Sequence, residues 1–264
     1  DAAHRLDPGA LREALATTGG EPEVAPVVVA TAGTTEFGSI DPLPELASIA
    51  AEYGAWLHVD AAYGGGALFS PRLSGLLDGI AAADSVSLDF HKFGWLPIAA
   101  GVFLARDRVA FAPLARTVDY LNSSDDEEEG FDSLLGFSLR TTRRADAVKL
   151  ATALLALGRA GFGELVDRCH DIATYAAEAI SAHPRLRLVT APVLTTVVFS
   201  YDADPGVNPR VRRRLLEEGS VIVGRAQVNG HPCLKLTFLN PQTDRADVDH
   251  LVEAVAIAGS EEDR

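Results

Sequence analysis

Methionine is absent from the 264 residues, and cysteine occurs only at Cys169 and Cys233. Two cysteines make neither a disulfide framework nor a cysteine-rich zinc cluster, so a reducing compartment, the cytoplasm, is the expectation and no metal is expected. Basic residues are scarce: 23 Lys and Arg face 37 Asp and Glu, for a net charge of −14. That balance excludes nucleic acid as the main partner, which requires a basic face, and equally an anionic membrane surface. No uncharged run reaches the ~18 residues that a membrane-spanning helix needs. The longest, 188–201 and 93–105, read as buried strands. The opening DAAHRLDPG lacks the apolar stretch of a signal peptide. An aspartate at position 1 and no methionine anywhere lead to the expectation of a processed or partial chain.

What remains is a globular composition, 47% hydrophobic, long enough for about two domains at ~150 residues each. The first part alternates strand and helix. Pro26–Thr31 (PVVVAT) is a continuous β-branched run, the pattern of a strand buried on both faces. Pro42–Tyr53 reads as a helix capped by Asp41 and stopped by Gly54. Trp56–Asp60, Asp84–Asp89 and Ile98–Arg106 are further strands. Such alternation implies an α/β, mostly parallel sheet with helices on both faces, in which ligands bind beyond the carboxyl ends of the strands.

Asn122–Gly130 (NSSDDEEEG) is an acidic run, read as a solvated loop or a mobile lid. A helix is expected over Thr141–Leu157, with Gly158, Gly161 and Gly163 marking a boundary. Beyond it lie two strand-like runs in Leu186–Tyr201 and a helix at Asn208–Gly219 with Asn208 as cap. A hairpin turns at Asn229-Gly230 between Ser220–Gln227 and Pro232–Phe238. The last helix carries Val248, Leu251, Val252 and Val255. These elements make a small α+β domain, so the expected division is 1–158 and 159–264, with the acidic loop at 122–131.

Three strand ends carry the chemistry: Gly33-Thr34-Thr35, then Asp60 followed by Ala61-Ala62-Tyr63-Gly64-Gly65-Gly66, then Asp89-Phe90-His91-Lys92. Asp60 closes an apolar run, where a buried carboxylate needs a cation beside it. Lys92 precedes the apolar Phe93-Gly94-Trp95, and a desolvated lysine is a nucleophile toward aldehydes. A carboxylate that keeps a pyridine nitrogen protonated and a lysine that binds an aldehyde are the demands of pyridoxal 5'-phosphate. Each piece alone has a plainer reading, a turn aspartate or a surface His-Lys pair. Other chemistries fit less well. The Gly64–Gly66 triplet departs from G-x-G-x-x-G and is read as letting backbone pass close to a flat ligand or a neighbouring chain. No G-x-S-x-G elbow occurs. His58 reads as a core or interface residue.

The stretches VVVATAGTTEFGSIDPL, WLHVDAAYGGGALFSP and ADSVSLDFHKF, in that order, resemble the group II pyridoxal-phosphate-dependent amino-acid decarboxylases. YLN, TTRR and LKLTFLNP are most similar to the bacterial lysine, ornithine and diaminobutyrate decarboxylases of siderophore pathways. The resemblance runs from about Leu6 to Ile257. It implies the carboxyl-terminal part of a fold-type I large domain plus a small α+β domain, acting in a two-fold dimer. It assigns Lys92 to the cofactor aldehyde and Asp60 to the pyridine nitrogen. Ala62 packs on the ring, Thr34 and Thr35 lie near its substituents, and His91 and Asp89 lie near the phosphate. Asp89 departs from the Asn of the aromatic branch, and an anion is unfavourable beside phosphate. The family's phosphate loop and its ring-stacking His precede the segment that Asp1–Pro8 resembles. The resemblance therefore implies a carboxyl-terminal half whose amino-terminal half is a separate or cleaved chain, or is lost.

The implied reaction is decarboxylation of an L-amino acid, with a basic or diamino substrate favoured. Where the family's lid carries a proton-donating Tyr, the nearest aromatic here is Phe131. Its phenyl ring either packs the lid or leaves the reaction open to oxygen, giving oxidative deamination. A non-catalytic subunit or an inactive remnant is the remaining reading.

Overall fold

The computed structural model describes residues 1–18, 25–116, 118, 120–131 and 133–264; the side chains of Ser124 and Glu127 are outside the description. Two four-stranded sheets carry the chain. The first is built from β1 (Val27–Thr31), β2 (Trp56–Ala61), β3 (Ser85–Asp89) and β4 (Gly101–Ala105), in the order β1-β2-β3-β4. β1, β2 and β3 run parallel and β4 is antiparallel to β3. α1 (Pro8–Thr18) and α2 (Leu43–Glu52) precede and follow β1. The second sheet holds β5 (Leu186–Leu188), β6 (Thr196–Tyr201), β7 (Gly224–Val228) and β8 (His231–Thr237) in the order β5-β6-β8-β7, all neighbours antiparallel. This is the expected α/β part followed by a smaller α+β part.

One face of the first sheet is packed. Val28, Ala30, Leu57, Val59 and Ala61 join Leu46, Ile49 and Leu77 in a core that also takes Val166 and Cys169. Burial of this kind contributes about 25 cal/mol per Å² of apolar surface removed from water. The other face differs from the expectation for β1. Val27 and Val29 are 63% and 55% exposed, so the strand is buried on one side only.

Asp41 does not cap α2. Its carboxylate accepts the N–H groups of Leu6 and Thr31, both at 2.7 Å, and so ties the approach to α1 to the end of β1. The acidic run holds a short helix, α3 (Ser124–Glu128). The helix expected at Thr141 begins at Asp146 and does not stop at the glycines. This α4 (Asp146–Ala182) kinks at Gly158, where φ is 61° and ψ 178°, and continues. Val166 and Cys169 on it are buried in the core of the first sheet, Phe162 is buried against Phe69, and Ala173, Ala176 and Ile180 are buried toward the second sheet. Burial pushes the Cys169 thiol up to about 11, so it serves as packing and not as a nucleophile.

In the second sheet the turn signal holds. Asn229 and Gly230 both take positive φ, 49° and 79°, and Val228 pairs with His231 across the hairpin. α5 (Val207–Glu218) starts one residue before the expected cap. Asn208 is buried and accepts the Tyr201 N–H at 2.8 Å, a bond to β6 that outweighs capping. α6 (Arg245–Glu262) is fixed by a capping box between Asp244 and Asp247 and buries Val248, Val252 and Val255. Among the described residues no helix is long and apolar enough to cross a membrane.

Candidate functional site

The parallel order of β1, β2 and β3 puts their carboxyl ends at one edge, and the expected residues gather there. Register sets Thr31 opposite Asp60, and Asp60 opposite Ser87, two residues before Asp89. Period-two alternation then places Asp60, Ser87 and Asp89 on one face, the face that also carries Val27, Val29, Trp56 and His58.

A chain of side chains runs along that face. The Ser85 hydroxyl lies 2.9 Å from the Trp56 indole N–H, which donates to it, and 2.8 Å from His58 Nδ1. His58 Nε2 lies 3.4 Å from the Ser87 hydroxyl, which also approaches Asp60 Oδ1 at 3.4 Å. Asp60 Oδ1 accepts the Ala62 N–H at 3.0 Å. Among the described residues no cation accompanies Asp60: its partners are neutral donors and both are on Oδ1. The cation that the sequence reading requires beside this carboxylate is a group that the protein would have to bind.

Lys92 differs from the expectation of a desolvated amine. Its side chain is 37% exposed, and its Nζ lies 3.1 Å from Asp89 Oδ2. The same oxygen is 3.5 Å from His91 Nε2, while His91 Nδ1 faces the Ala100 N–H at 3.4 Å. Asp89 therefore turns toward Lys92 and His91 of its own loop. Thr34 accepts the Ser39 N–H on its hydroxyl, and the exposed Thr35 offers its carbonyl to Lys235 Nζ at 3.1 Å.

The glycine triplet serves this chain's own packing. Gly64 N–H donates to the Ala32 carbonyl at 2.9 Å, and a Cβ on Gly64 would collide with that oxygen. A Cβ on Gly65 would strike Leu88, and one on Gly66 would strike Phe93. The triplet thus brings the Asp60 loop against the strands that carry Thr34 and Lys92.

Several positioning residues escaped the sequence reading. Tyr63 stacks on Phe93, with centroids 5.4 Å apart, and its hydroxyl meets Thr195 Oγ1 at 2.8 Å and Thr196 Oγ1 at 3.0 Å. Burial pushes the Tyr63 phenol above its ordinary pKa, so it remains a neutral hydrogen-bonding group. Trp95 donates its indole N–H to the Leu239 carbonyl at 2.6 Å. The first bond joins a site loop to β6 and the second joins one to the chain just past β8. Tyr63→Phe removes a hydroxyl that meets Thr195 Oγ1, Thr196 Oγ1 and the Thr195 N–H and is expected to cost about 1–3 kcal/mol, read as a lower denaturant midpoint at unchanged slope.

Phe131 is not brought into this cluster. It is 73% exposed and its N–H bonds to the Asp126 carbonyl at 3.0 Å, just past α3.

The sequence model of a family described as "Pyridoxal-dependent decarboxylase conserved domain" matches residues 1–202. An L-2,4-diaminobutyrate decarboxylase of Rhizobium meliloti is 41% identical over 261 residues, covering 97% of this chain and 52% of that protein. A glutamate decarboxylase domain of a diaminobutyrate-pyruvate transaminase and L-2,4-diaminobutyrate decarboxylase from Vibrio parahaemolyticus superposes with a TM-score of 0.84 at 28% identity, covering 99% of this chain and 52% of that one. Oryza sativa TDC with PLP and tryptamine gives a TM-score of 0.92 at 25% identity, covering 100% of this chain and 56% of that one. The chain spans about half the length of the curated relatives it matches, corresponding to their carboxyl-terminal half.

Proposed function

Since the chain belongs to the pyridoxal-dependent decarboxylase family, we propose that it supplies the lysine and the pyridine-binding carboxylate of an enzyme that releases carbon dioxide from an L-amino acid. The observation that carries this reading is the placing of Asp60 and Lys92 at adjacent parallel strand ends. Among the described residues the Asp60 carboxylate has only neutral donors, and Lys92 is exposed enough to react. When bound, pyridoxal phosphate supplies the electron sink that takes up the pair left by the departing carboxylate.

The protein's own groups do the rest. Lys92 Nζ would be the amine that holds the cofactor's aldehyde. Asp60 would be the carboxylate that holds the pyridine nitrogen in its protonated form by a charge-assisted bond. Ala62, Thr34 and Thr35 would border the ring, and His91 would serve the phosphate. Asp89 orients the Lys92 amine between turnovers. A diamino acid is the favoured substrate: the relatives from Rhizobium meliloti and Acinetobacter baumannii are named diaminobutyrate decarboxylases. The working unit joins this chain to an amino-terminal half and pairs as a two-fold dimer in the cytoplasm. The acidic loop at 122–131 acts as its lid.

Phe131 favours a second outcome of the same chemistry. A phenyl ring donates no proton, so the carbon that loses its carboxylate waits for one and can meet dioxygen. Transfer of two electrons to O2, with hydrolysis of the resulting imine, gives aldehyde, ammonia and hydrogen peroxide. The test is product analysis with L-2,4-diaminobutyrate and other amino acids, with and without oxygen, on this chain co-expressed with the amino-terminal half of the Rhizobium meliloti relative. Carbon dioxide is expected, with amine predominating under nitrogen and peroxide appearing in air; Phe131→Tyr is expected to lower the peroxide share several-fold. Amine alone from the unaltered chain in air rejects the oxidative branch. No visible band and no carbon dioxide rejects the catalytic reading in favour of a non-catalytic subunit.

A further inference from the structure

Five side chains interleave between two neighbouring strands. Trp56, His58 and Asp60 alternate with the buried Leu57, Val59 and Ala61 on β2, and Ser85 and Ser87 share one face of β3. The parallel register sets His58 beside Ser85 and Asp60 beside Ser87. Each serine thereby bridges two β2 side chains, Ser85 joining Trp56 to His58 and Ser87 joining His58 to Asp60. A core or interface role for His58 accounts for neither of its ring nitrogens.

The first member sets the direction of the whole row. An indole nitrogen can only donate, so Ser85 Oγ accepts from Trp56 Nε1 at 2.9 Å. The Ser85 hydroxyl is 97-to-3 on the buried side of the strand, and its own proton is left for His58 Nδ1 at 2.8 Å. With Nδ1 accepting, the ring proton sits on Nε2, which faces Ser87 Oγ at 3.4 Å. Ser87 then has its proton for Asp60 Oδ1, also at 3.4 Å. Every bond points toward the carboxylate. The other tautomer would aim two N–H groups at Ser85 and draw the Ser87 proton away from Asp60.

We infer that His58 is a positioning residue for Asp60: held in its Nε2–H form by Trp56 and Ser85, it turns the Ser87 hydroxyl onto Asp60 Oδ1 and leaves Oδ2 for the pyridine nitrogen. The inference rests on the role proposed above for Asp60 and adds which residues orient it. The Ala62 N–H also lies on Oδ1, at 3.0 Å. Both donors from the protein therefore sit on one oxygen, and among the described residues Oδ2 has none. The two contacts at 3.4 Å are long for hydrogen bonds, so the row acts by choosing which way Ser87 donates and not by the strength of any one link.

The tautomer is read by long-range proton–nitrogen NMR on the chain carrying 15N-labelled histidine, with His58→Gln identifying the His58 signals. The Nε2–H form is expected. Trp56→Phe removes the indole N–H and should give a mixture of both tautomers, while Ser87→Ala, beyond the ring, should leave the Nε2–H form in place. An Nδ1–H form in the unaltered chain, or no response to Trp56→Phe, overturns the inference. The link to Asp60 is read by equilibrium dialysis of the co-expressed unit against pyridoxal phosphate and against its deaza analogue, in which a ring C–H replaces the pyridine nitrogen. Ser87→Ala and His58→Leu should weaken pyridoxal phosphate on the order of tenfold, the worth of one hydrogen bond to a charged group, and leave the analogue unaffected. His58→Gln, whose amide can donate toward Ser87, should recover most of that loss. Equal weakening of both ligands makes the row a packing feature and overturns the inference while Asp60 keeps its role. Asp60→Asn is the reference: if it too fails to distinguish the two ligands, the role of Asp60 falls and the inference with it.

Discussion

Lys92→Ala is expected to bring the visible absorption given by added pyridoxal phosphate, and carbon dioxide release, down to background. Lys92 is the amine at the strand-end cluster, with Nζ held 3.1 Å from Asp89 Oδ2 and its side chain 37% exposed. Loss of the amine removes the nucleophile toward the aldehyde, and alanine offers no substitute. The variant should fold as the parent does, because the ion pair it breaks is partly exposed and such pairs contribute about 0–1 kcal/mol. Asp60→Asn separates binding from rate. The amide keeps the size of the side chain and an acceptor for the Ala62 N–H, so some cofactor should be retained. It no longer holds a positive pyridine nitrogen, and the rate should fall on the order of 10²-fold or more. Borohydride reduction followed by mass analysis locates the covalent link; a label on any lysine other than Lys92, or turnover that survives Lys92→Ala, sinks the assignment.

The second large effect is on folding. Gly64→Ala is expected to destabilise the chain by about 3 kcal/mol, near the upper end of overpacking costs. The new methyl would meet the Ala32 carbonyl oxygen, which is backbone and already accepts the Gly64 N–H. Neither partner can swing away, so β1 and the loop after Asp60 must part. For a chain of this length the change corresponds to a melting temperature lower by about 6–12 °C. Gly75→Ala is the control: nothing lies within 4 Å of the added atom, and the shift should stay within about 0.5 kcal/mol. Equal melting temperatures for the two variants would mean that the Ala32–Gly64 approach is looser than the structure has it.

How much of this was legible follows the range of the interaction. The strand ends bearing Thr35, Asp60 and Lys92 are marked locally, by apolar runs closing on polar residues. The Asn229-Gly230 hairpin is likewise a local signal, since two positive φ angles are needed at adjacent positions. Asp41 and Asn208 look like helix caps, yet both side chains bond to backbone on other elements. Gly158, Gly161 and Gly163 look like a boundary, but only Gly158 kinks α4. Gly163 is there because its missing Cβ would lie 2.6 Å from the Phe69 carbonyl oxygen. Ser87, Tyr63 and Trp95 were missed because their partners lie 27, 132 and 144 residues away.

The bonds from Tyr63 to Thr195 and Thr196, from Trp95 to Leu239 and from Lys235 to Thr35 decide where related genes can be recombined. A crossover at Gly158 looks natural on the chain, but it would hand the Tyr63 hydroxyl and the Trp95 indole to strands from another parent. It would also cut α4 ahead of Val166 and Cys169, which fill the first core. Chimeras that inherit the Asp60 and Lys92 loops together with 159–241 from one parent should be recovered far more often than those that exchange at 158.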